Sequence, residues 1–195
     1  LVWACGFDPR FEEALFVLDR QSAPLLLVGN ECRNYVPASP VAGRMRIEHF
    51  PDFSLPDQPR PAARTLAEIF ASEGIDAHAR VGLAGWKRYA DPHQTDVPSY
   101  LADALRFAAG WENVSNAFDL TKPLRQRATA AEIAWCEWTN TLASEAMRRV
   151  IRAIKPGKLD YELLEETRYC GVPLACHMTL KCGANRVSLA SARGE

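Results

Sequence analysis

The chain lacks every short motif that carries chemistry by itself. No Gly-rich phosphate loop ending in Lys-Ser or Lys-Thr, no Gly-x-Gly-x-x-Gly fingerprint, no His-Glu-x-x-His pair and no Gly-x-Ser-x-Gly elbow occurs in its 195 residues. P-loop, dinucleotide-binding, zincin and serine-hydrolase readings therefore have no local support. Charge of one sign is also lacking. A net charge of -1 gives no electrostatic reason to expect nucleic acid or an anionic membrane as partner. Long hydrophobic runs are missing: stretches such as Ala23 to Val28 fall far short of a bilayer span. Histidine is scarce. His49, His78, His93 and His177 lie far apart in sequence and read as surface or structural residues. There is no initiator Met. Leu1 enters an apolar pattern already running, so the true start, and any signal peptide with it, is expected to be missing. At the other end, Glu195 arrives before any cluster suited to metal binding or hydrolysis. These 195 residues alone are expected to be chemically inert.

What is present is the composition of an ordinary folded protein, 48% apolar and 24% charged, with length enough for a real core. The six cysteines, Cys5, Cys32, Cys136, Cys170, Cys176 and Cys182, are scattered, and reduced thiols in the cytoplasm are the simpler reading. A zinc site from Cys170, Cys176, His177 and Cys182 is the alternative, but familiar zinc ligands pair two to four residues apart and these do not. Trp86, Trp111, Trp135 and Trp138 are expected to be buried aromatics rather than ligand platforms.

Along the chain the first part reads as α/β. Phe11 to Asp19 and Pro24 to Val28 form an expected hairpin around the polar turn Asp19-Arg20-Gln21-Ser22. Val36 to Pro61 is Pro-rich and irregular around one strand, Arg46 to Phe50. A helix is expected over Pro61 to Glu73, a strand over Ala79 to Leu83, a helix over Ser99 to Ala109 and a strand over Asn113 to Phe118. Together these make a mixed sheet with helices packed on it. Asp119 to Ala128, polar and containing Pro123, reads as a domain boundary. Thr129 and Glu132 then have the form of a capping box. Ile133, Cys136, Ala143, Ala146, Met147, Val150, Ile151 and Ile154 recur at helical steps, as one buried face would. Lys155-Pro156-Gly157 stops this helix. Asp160 is expected to cap a second helix carrying Leu163, Leu164 and Thr167 and ending at Cys170-Gly171. Leu174 to Cys182 is expected to be a strand. The acidic residues Glu162, Glu165 and Glu166 read as a solvated face. Arg148, Arg149 and Arg152 read as another, near a helix C-terminus where cations suit the dipole.

The order of these segments resembles a known family. Leu124-Arg125 through Thr129 to Glu132-Ile133 resembles the opening of the pita-bread catalytic domain of the aminopeptidase P, prolidase and creatinase family. Arg127 and Ala128 stand there where Lys is usual. Ala143-Ser144-Glu145-Ala146-Met147 followed by Ala153-Ile154-Lys155-Pro156-Gly157 is similar to that family's first helix end. Asp160-Tyr161-Glu162-Leu163 matches its second helix loosely, and Lys181-Cys182-Gly183-Ala184-Asn185 resembles the end of its next strand. Gly6-Phe7, the first two strands, Val81-Gly82-Leu83 and Pro98 to Gly110 resemble the creatinase-type N-terminal domain.

The resemblance implies an α/β (α+β) architecture. Residues 1–122 would form a ribonuclease-H-like domain on a mixed six-stranded sheet, and residues 123–195 the first part of a pita-bread domain. It implies a cytoplasmic parent, in a family whose members are often homodimers, that hydrolyses a peptide or small amide. Two divalent metals (Mn, Co or Zn) would be held there by two Asp, one His and two Glu, all after Glu195, and none in this chain. Asn185, Ser188 and Ser191 would lie on the rim of the substrate pocket. One departure concerns specificity. The family's peptidases carry a His about seven residues after the Gly that matches Gly183, whereas Val187-Ser188-Leu189-Ala190-Ser191-Ala192 has none. That favours a divergent hydrolase branch or a non-catalytic binding module such as the histone chaperone that shares the fold; a metal-independent creatinase-like amidinohydrolase is a further alternative within the family. The truncated domain is also expected to leave the first helix, over Thr129 to Ile154, with an exposed apolar face, because most of the sheet it covers in the family would be absent.

Overall fold

A computed structural model describes residues 1–180 and 191–192. It divides the chain into two compact units, Leu1–Arg127 and Ala128–Glu195.

The first unit is organised by Leu25–Val28, strand β2, whose four residues are all buried. Ala14–Val17, strand β1, pairs with it antiparallel, and Arg46–His49, strand β3, pairs parallel on its other edge. The expected hairpin is therefore present. Its turn is held by the Asp19 carboxylate, which accepts from the Arg20 amide and, at 3.0 Å, from the Ser22 hydroxyl. Side chains alternate across a strand, so β2 feeds two cores. Leu25 and Leu27 join Phe50, Phe53, Ile69, Phe70 and Leu83 on one face. Leu26 and Val28 join Cys5, Phe7, Cys32 and Val36 on the other. A run of four apolar residues is what a strand covered on both faces requires.

Leu66–Ser72 forms helix α2, preceded by a four-residue N-terminal helix α1, Val2–Cys5. Helix α2 begins five residues later than the pattern suggested. Thr65 sets the start: its hydroxyl accepts the Glu68 amide at 3.2 Å, and the Glu68 carboxylate accepts the Thr65 amide at 2.7 Å. Val81–Leu83, strand β4, pairs parallel with Val114–Asn116, strand β5. Ser99–Ala109, helix α3, lies between them in sequence and buries Leu101, Ala102, Leu105 and Ala109 against the first core. The unit is thus mixed α/β, with a three-stranded mixed sheet and a two-stranded parallel one among the described residues. The boundary stretch is helical, α4 over Phe118–Arg125, despite Pro123 inside it. Proline removes one amide donor from such a turn. Lys122 and Arg125 in the last turn offset part of that by facing the negative end of the dipole.

The second unit is built on α5, Ala130–Ala153, 24 residues long, and α6, Asp160–Glu165. The capping box of α5 is formed as the sequence indicated. Glu132 receives the Thr129 amide at 2.7 Å, and Thr129 receives the Glu132 amide at 3.2 Å. Asp160 is not the cap of α6. Leu159 holds that place, and its amide goes to the Glu162 carboxylate at 2.8 Å. Asp160 is the first helical residue, 1% exposed, and accepts the Tyr161 amide at 2.8 Å. Helix α6 also stops at Glu165, short of Cys170-Gly171.

Two further expectations are corrected. Leu174 to Leu180 forms no strand. A strand must hand its backbone donors and acceptors to a neighbour, and the second unit has no strand among the described residues to pair with it; positions 181 and 182 fall outside them. The buried side of α5 takes in only part of the apolar pattern: Ala146 and Val150 lie on it, whereas Ile133, Cys136, Ala143, Met147, Ile151 and Ile154 are exposed. Val150 is the single fully buried residue of the helix. The half-buried side runs through Leu142, Glu145, Ala146, Arg149 and Ala153. At about 100° per residue that side lies about 150° around the helix from the stripe of Ile133, Cys136, Met147, Ile151 and Ile154. Ile133 is 50% exposed, and Met147, Ile151 and Ile154 are each 60% exposed. The open apolar face expected for this helix is therefore present. Arg149 explains the choice of buried side. Its guanidinium donates to the carbonyls of Glu166 at 3.2 Å and Thr167 at 2.8 Å, tying α5 to the end of α6, and pairs with Glu145 at 3.2 Å.

Candidate functional site

Of the rim residues that the resemblance implied, Asn185 and Ser188 lie outside the described residues, and Ser191 is exposed and itself in neither helix nor strand. Nothing described bears on a site there. Two concavities stand out instead, one in each unit.

The pocket of the first unit encloses about 300 Å³ beside α3, where His93, Gln94, Thr95 and Ser99 meet Arg106 and Trp111. The loop from β4 to α3 forms its wall. The backbone of that loop is pinned to β5: the Asn116 amide donates to the Pro92 carbonyl at 2.7 Å, and the Asn116 side chain donates to the carbonyls of Lys87 and Gln94 at 3.2 Å each. Asp96 closes the start of the loop by accepting the Trp86 amide at 2.8 Å and the Lys87 amide at 3.2 Å. Only glycine fits at position 85, because a Cβ there would stand 1.8 Å from Asp96 Oδ1.

Arg106 is the centre of this pocket. Its guanidinium lies 4.0 Å over the Trp111 ring, a cation–π contact. Its Nη2 donates to the His93 carbonyl at 2.6 Å, and Asp103, one turn earlier on α3, lies 3.7 Å from Nη1. The Nε–H is buried with no acceptor among the described residues. His93 Nδ1 lies 3.0 Å from the Val114 carbonyl. A carbonyl only accepts, so Nδ1 carries the proton and Nε2 faces Glu112, 3.7 Å away. No hydroxyl contacts a base in this pocket among the described residues. Thr95 and Ser99 line it without a hydrogen bond to His93, so the arrangement clamps a loop rather than activating a nucleophile.

A buried carboxylate in the first unit also does structural work. Glu12, 8% exposed, accepts the amides of Glu31 at 3.1 Å and Cys32 at 2.8 Å. These amides lead into a 3-10 turn over Cys32–Ala38. The Cys32 thiol donates to the Pro9 carbonyl at 2.9 Å. Burial, with the neighbouring Glu12 carboxylate, pushes that thiol up to about 12. A thiol so far from ionising is neither nucleophile nor metal ligand at neutral pH.

In the second unit an open groove of about 510 Å³ runs along α5, lined by Asn140, Ala143, Ser144, Met147, Arg148 and Ile151 among others. It follows the exposed apolar stripe. No cluster of three or more His, Cys, Asp or Glu able to hold a metal occurs among the described residues. They therefore offer no ligand set that fits a pair of metal ions. Cys176 Sγ stands 3.6 Å from His177 Nδ1, and both are exposed.

The tryptophans correct the sequence reading. Trp86, Trp111, Trp135 and Trp138 are all exposed. Trp111 stacks, but on Arg106. Trp135 and Trp138 stand 5.0 Å apart on α5. Sequence reasoning missed Arg106 and the loop of residues 91–97. The one available signal was Arg106 lying five residues before Trp111 across Gly110, which returns the ring to the helix end. No family model matches the chain, and no curated protein is significantly similar to it.

Proposed function

We propose that the chain is part of a cytoplasmic pita-bread hydrolase of the aminopeptidase P, prolidase and creatinase type. The hydrolase acts on a peptide or small amide through two divalent metal ions held by residues outside this chain. The first unit is then a creatinase-like N-terminal domain of ribonuclease-H-like fold, and the second opens the catalytic domain. The observation that carries the reading is a sequence of elements: a mixed α/β unit with parallel β4 and β5, then a long helix started by the Thr129–Glu132 capping box and stopped at Lys155-Pro156-Gly157. The described residues contribute scaffold. When bound, the metals would supply an activated water and a Lewis acid.

The test is the reading frame beyond the codon for Glu195. Two Asp, one His and two Glu at the family's spacing support the proposal; a frame that continues without them overturns it. Within the same fold, a non-catalytic binding role is the second reading, favoured by the absence of His from Val187 to Ala192. A polypeptide carrying the five ligands and hydrolysing Xaa-Pro peptides with Mn would remove it.

A further inference from the structure

We infer, independently of the family reading, that the pocket beside α3 is a binding site for a small organic carboxylate seated on the Arg106 guanidinium.

A guanidinium carries five N–H donors and no acceptor. In Arg106, Nη2 gives one bond to the His93 carbonyl at 2.6 Å. Nη1 makes no hydrogen bond among the described residues: the Asp103 carboxylate stands off at 3.7 Å and is 70% exposed, where water screens it. The Nε–H is buried without an acceptor among the same residues. The Arg106 side chain is only 17% exposed, so this cation is short of both water and protein partners, and an oxyanion is what it lacks. The Trp111 ring at 4.0 Å and the His93 carbonyl hold the group in place, so a ligand need not order it. The flat edge formed by Nη1 and Nη2 matches the two oxygens of a carboxylate.

The walls select the class of ligand. At about 300 Å³ the cavity lies at the small end of small-molecule sites. Val97, Ala102 and Trp111 give it apolar surface suited to a carbon body. Gln94, Thr95 and Ser99 line it with polar side chains that carry no hydrogen bond among the described residues. Charge restricts the ligand further. Arg106 is the one permanent cation lining the pocket among the described residues. The exposed carboxylates of Asp91, Asp103 and Glu112 stand around it: Asp91 lines the pocket, Asp103 is beside Nη1, and Glu112 lies 3.7 Å from His93 Nε2. An ion of higher charge, such as phosphate, would meet three like charges and one opposite one. A single carboxylate is balanced by Arg106 alone.

Benzoate is the probe. With the full chain labelled at its arginine side-chain nitrogens, a benzoate titration followed by NMR should move one Nε–H resonance to saturation, and Arg106→Lys should lack that resonance. Arg106→Lys should also weaken binding about tenfold by calorimetry, because an ammonium keeps the charge and loses the planar fork. Ser99→Phe should abolish binding with the far-UV circular dichroism unchanged, because position 99 is exposed and the ring fills the cavity. Phosphate at the same concentration should leave the resonance in place. A titration of the folded chain that does not saturate overturns the proposal. So does phosphate binding as tightly as benzoate, which would mark a general anion site. So does benzoate binding that survives Ser99→Phe, which would place the ligand outside the cavity. None of these results bears on the reading frame beyond Glu195, so the family reading stands or falls separately.

Discussion

Cys32 shows how position decides the chemistry of a residue. Its thiol sits in the core beside a carboxylate and is pushed up to about 12, whereas Cys136, Cys170 and Cys176 face solvent. Brief treatment of the folded chain with iodoacetamide at pH 8 should therefore modify those three and spare Cys32 and the buried Cys5 until denaturant is added. Modification of Cys32 at the rate of Cys136 would show that the packing around Glu12 is wrong. Glu132 and Glu68 illustrate the opposite shift. Each accepts the backbone amide and lies beside the hydroxyl of its N-cap threonine, and each is held below the ordinary value of 4.5. A carboxylate with a depressed native value contributes stability above its unfolded pKa and loses it as pH falls through the native one. Helical circular dichroism should hold constant above about pH 5 and decline below 4.5, and Glu132→Gln should flatten its share of that decline. A helical signal indifferent to pH between 5 and 3 would contradict the capping geometry.

The capping boxes are also where sequence and element met most directly. Thr129 and Glu132 stand three residues apart before an apolar periodic run, and the helix starts there. Thr65 and Glu68 have the same spacing, and that cap, not Pro61, sets the start of α2. Replacing the N-cap hydroxyl should cost about 1 kcal/mol. Thr129→Ala is expected to lower the urea midpoint of the helical signal, with Thr129→Ser largely restoring it. Equal midpoints for Ala and Ser would remove the cap from the account. Strands fared according to their partners. Pro24 to Val28 was legible because four consecutive apolar residues need cover on both faces, and β1, β3 and two cores supply it. Leu174 to Leu180 was read as a strand from its apolar alternation, but no strand among the described residues of the second unit is there to pair with it, and periodicity alone says nothing about that.

At the scale of the whole molecule, stability is concentrated in the first unit, where Phe70, Ile69, Leu27 and Val114 are fully buried. Phe70→Ala should cost about 3–5 kcal/mol, read as a fall in the thermal midpoint, and a change of under about 1 kcal/mol would mean the core is not as described. The chain divides between Arg127 and Ala128, with Arg125, Gln126 and Arg127 exposed. Limited trypsin digestion should cut at Arg125 or Arg127 before the buried core of the first unit. Early cuts at Arg46 or Arg64, both paired with glutamates, would argue against that division. No helix among the described residues is long and apolar enough to cross a membrane.

The sequence by itself determined the hairpin, the strand at Arg46, the helix at Ser99, the capping box at Thr129 and the mixed α/β character. Each of these depends on neighbours within a few residues or on burial so complete that composition alone betrays it. Tertiary structure decided the rest: that Arg106 would lie over Trp111, that the tryptophans would face outward, and that α5 would bury the side carrying Arg149 and Val150. The physical reason is common to all three. An apolar stripe records that a helix can be covered, but which side is covered depends on which partner offers hydrogen-bond acceptors and surface. For α5 that partner was the pair of carbonyls at Glu166 and Thr167, seventeen and eighteen residues from Arg149 and invisible to any local pattern.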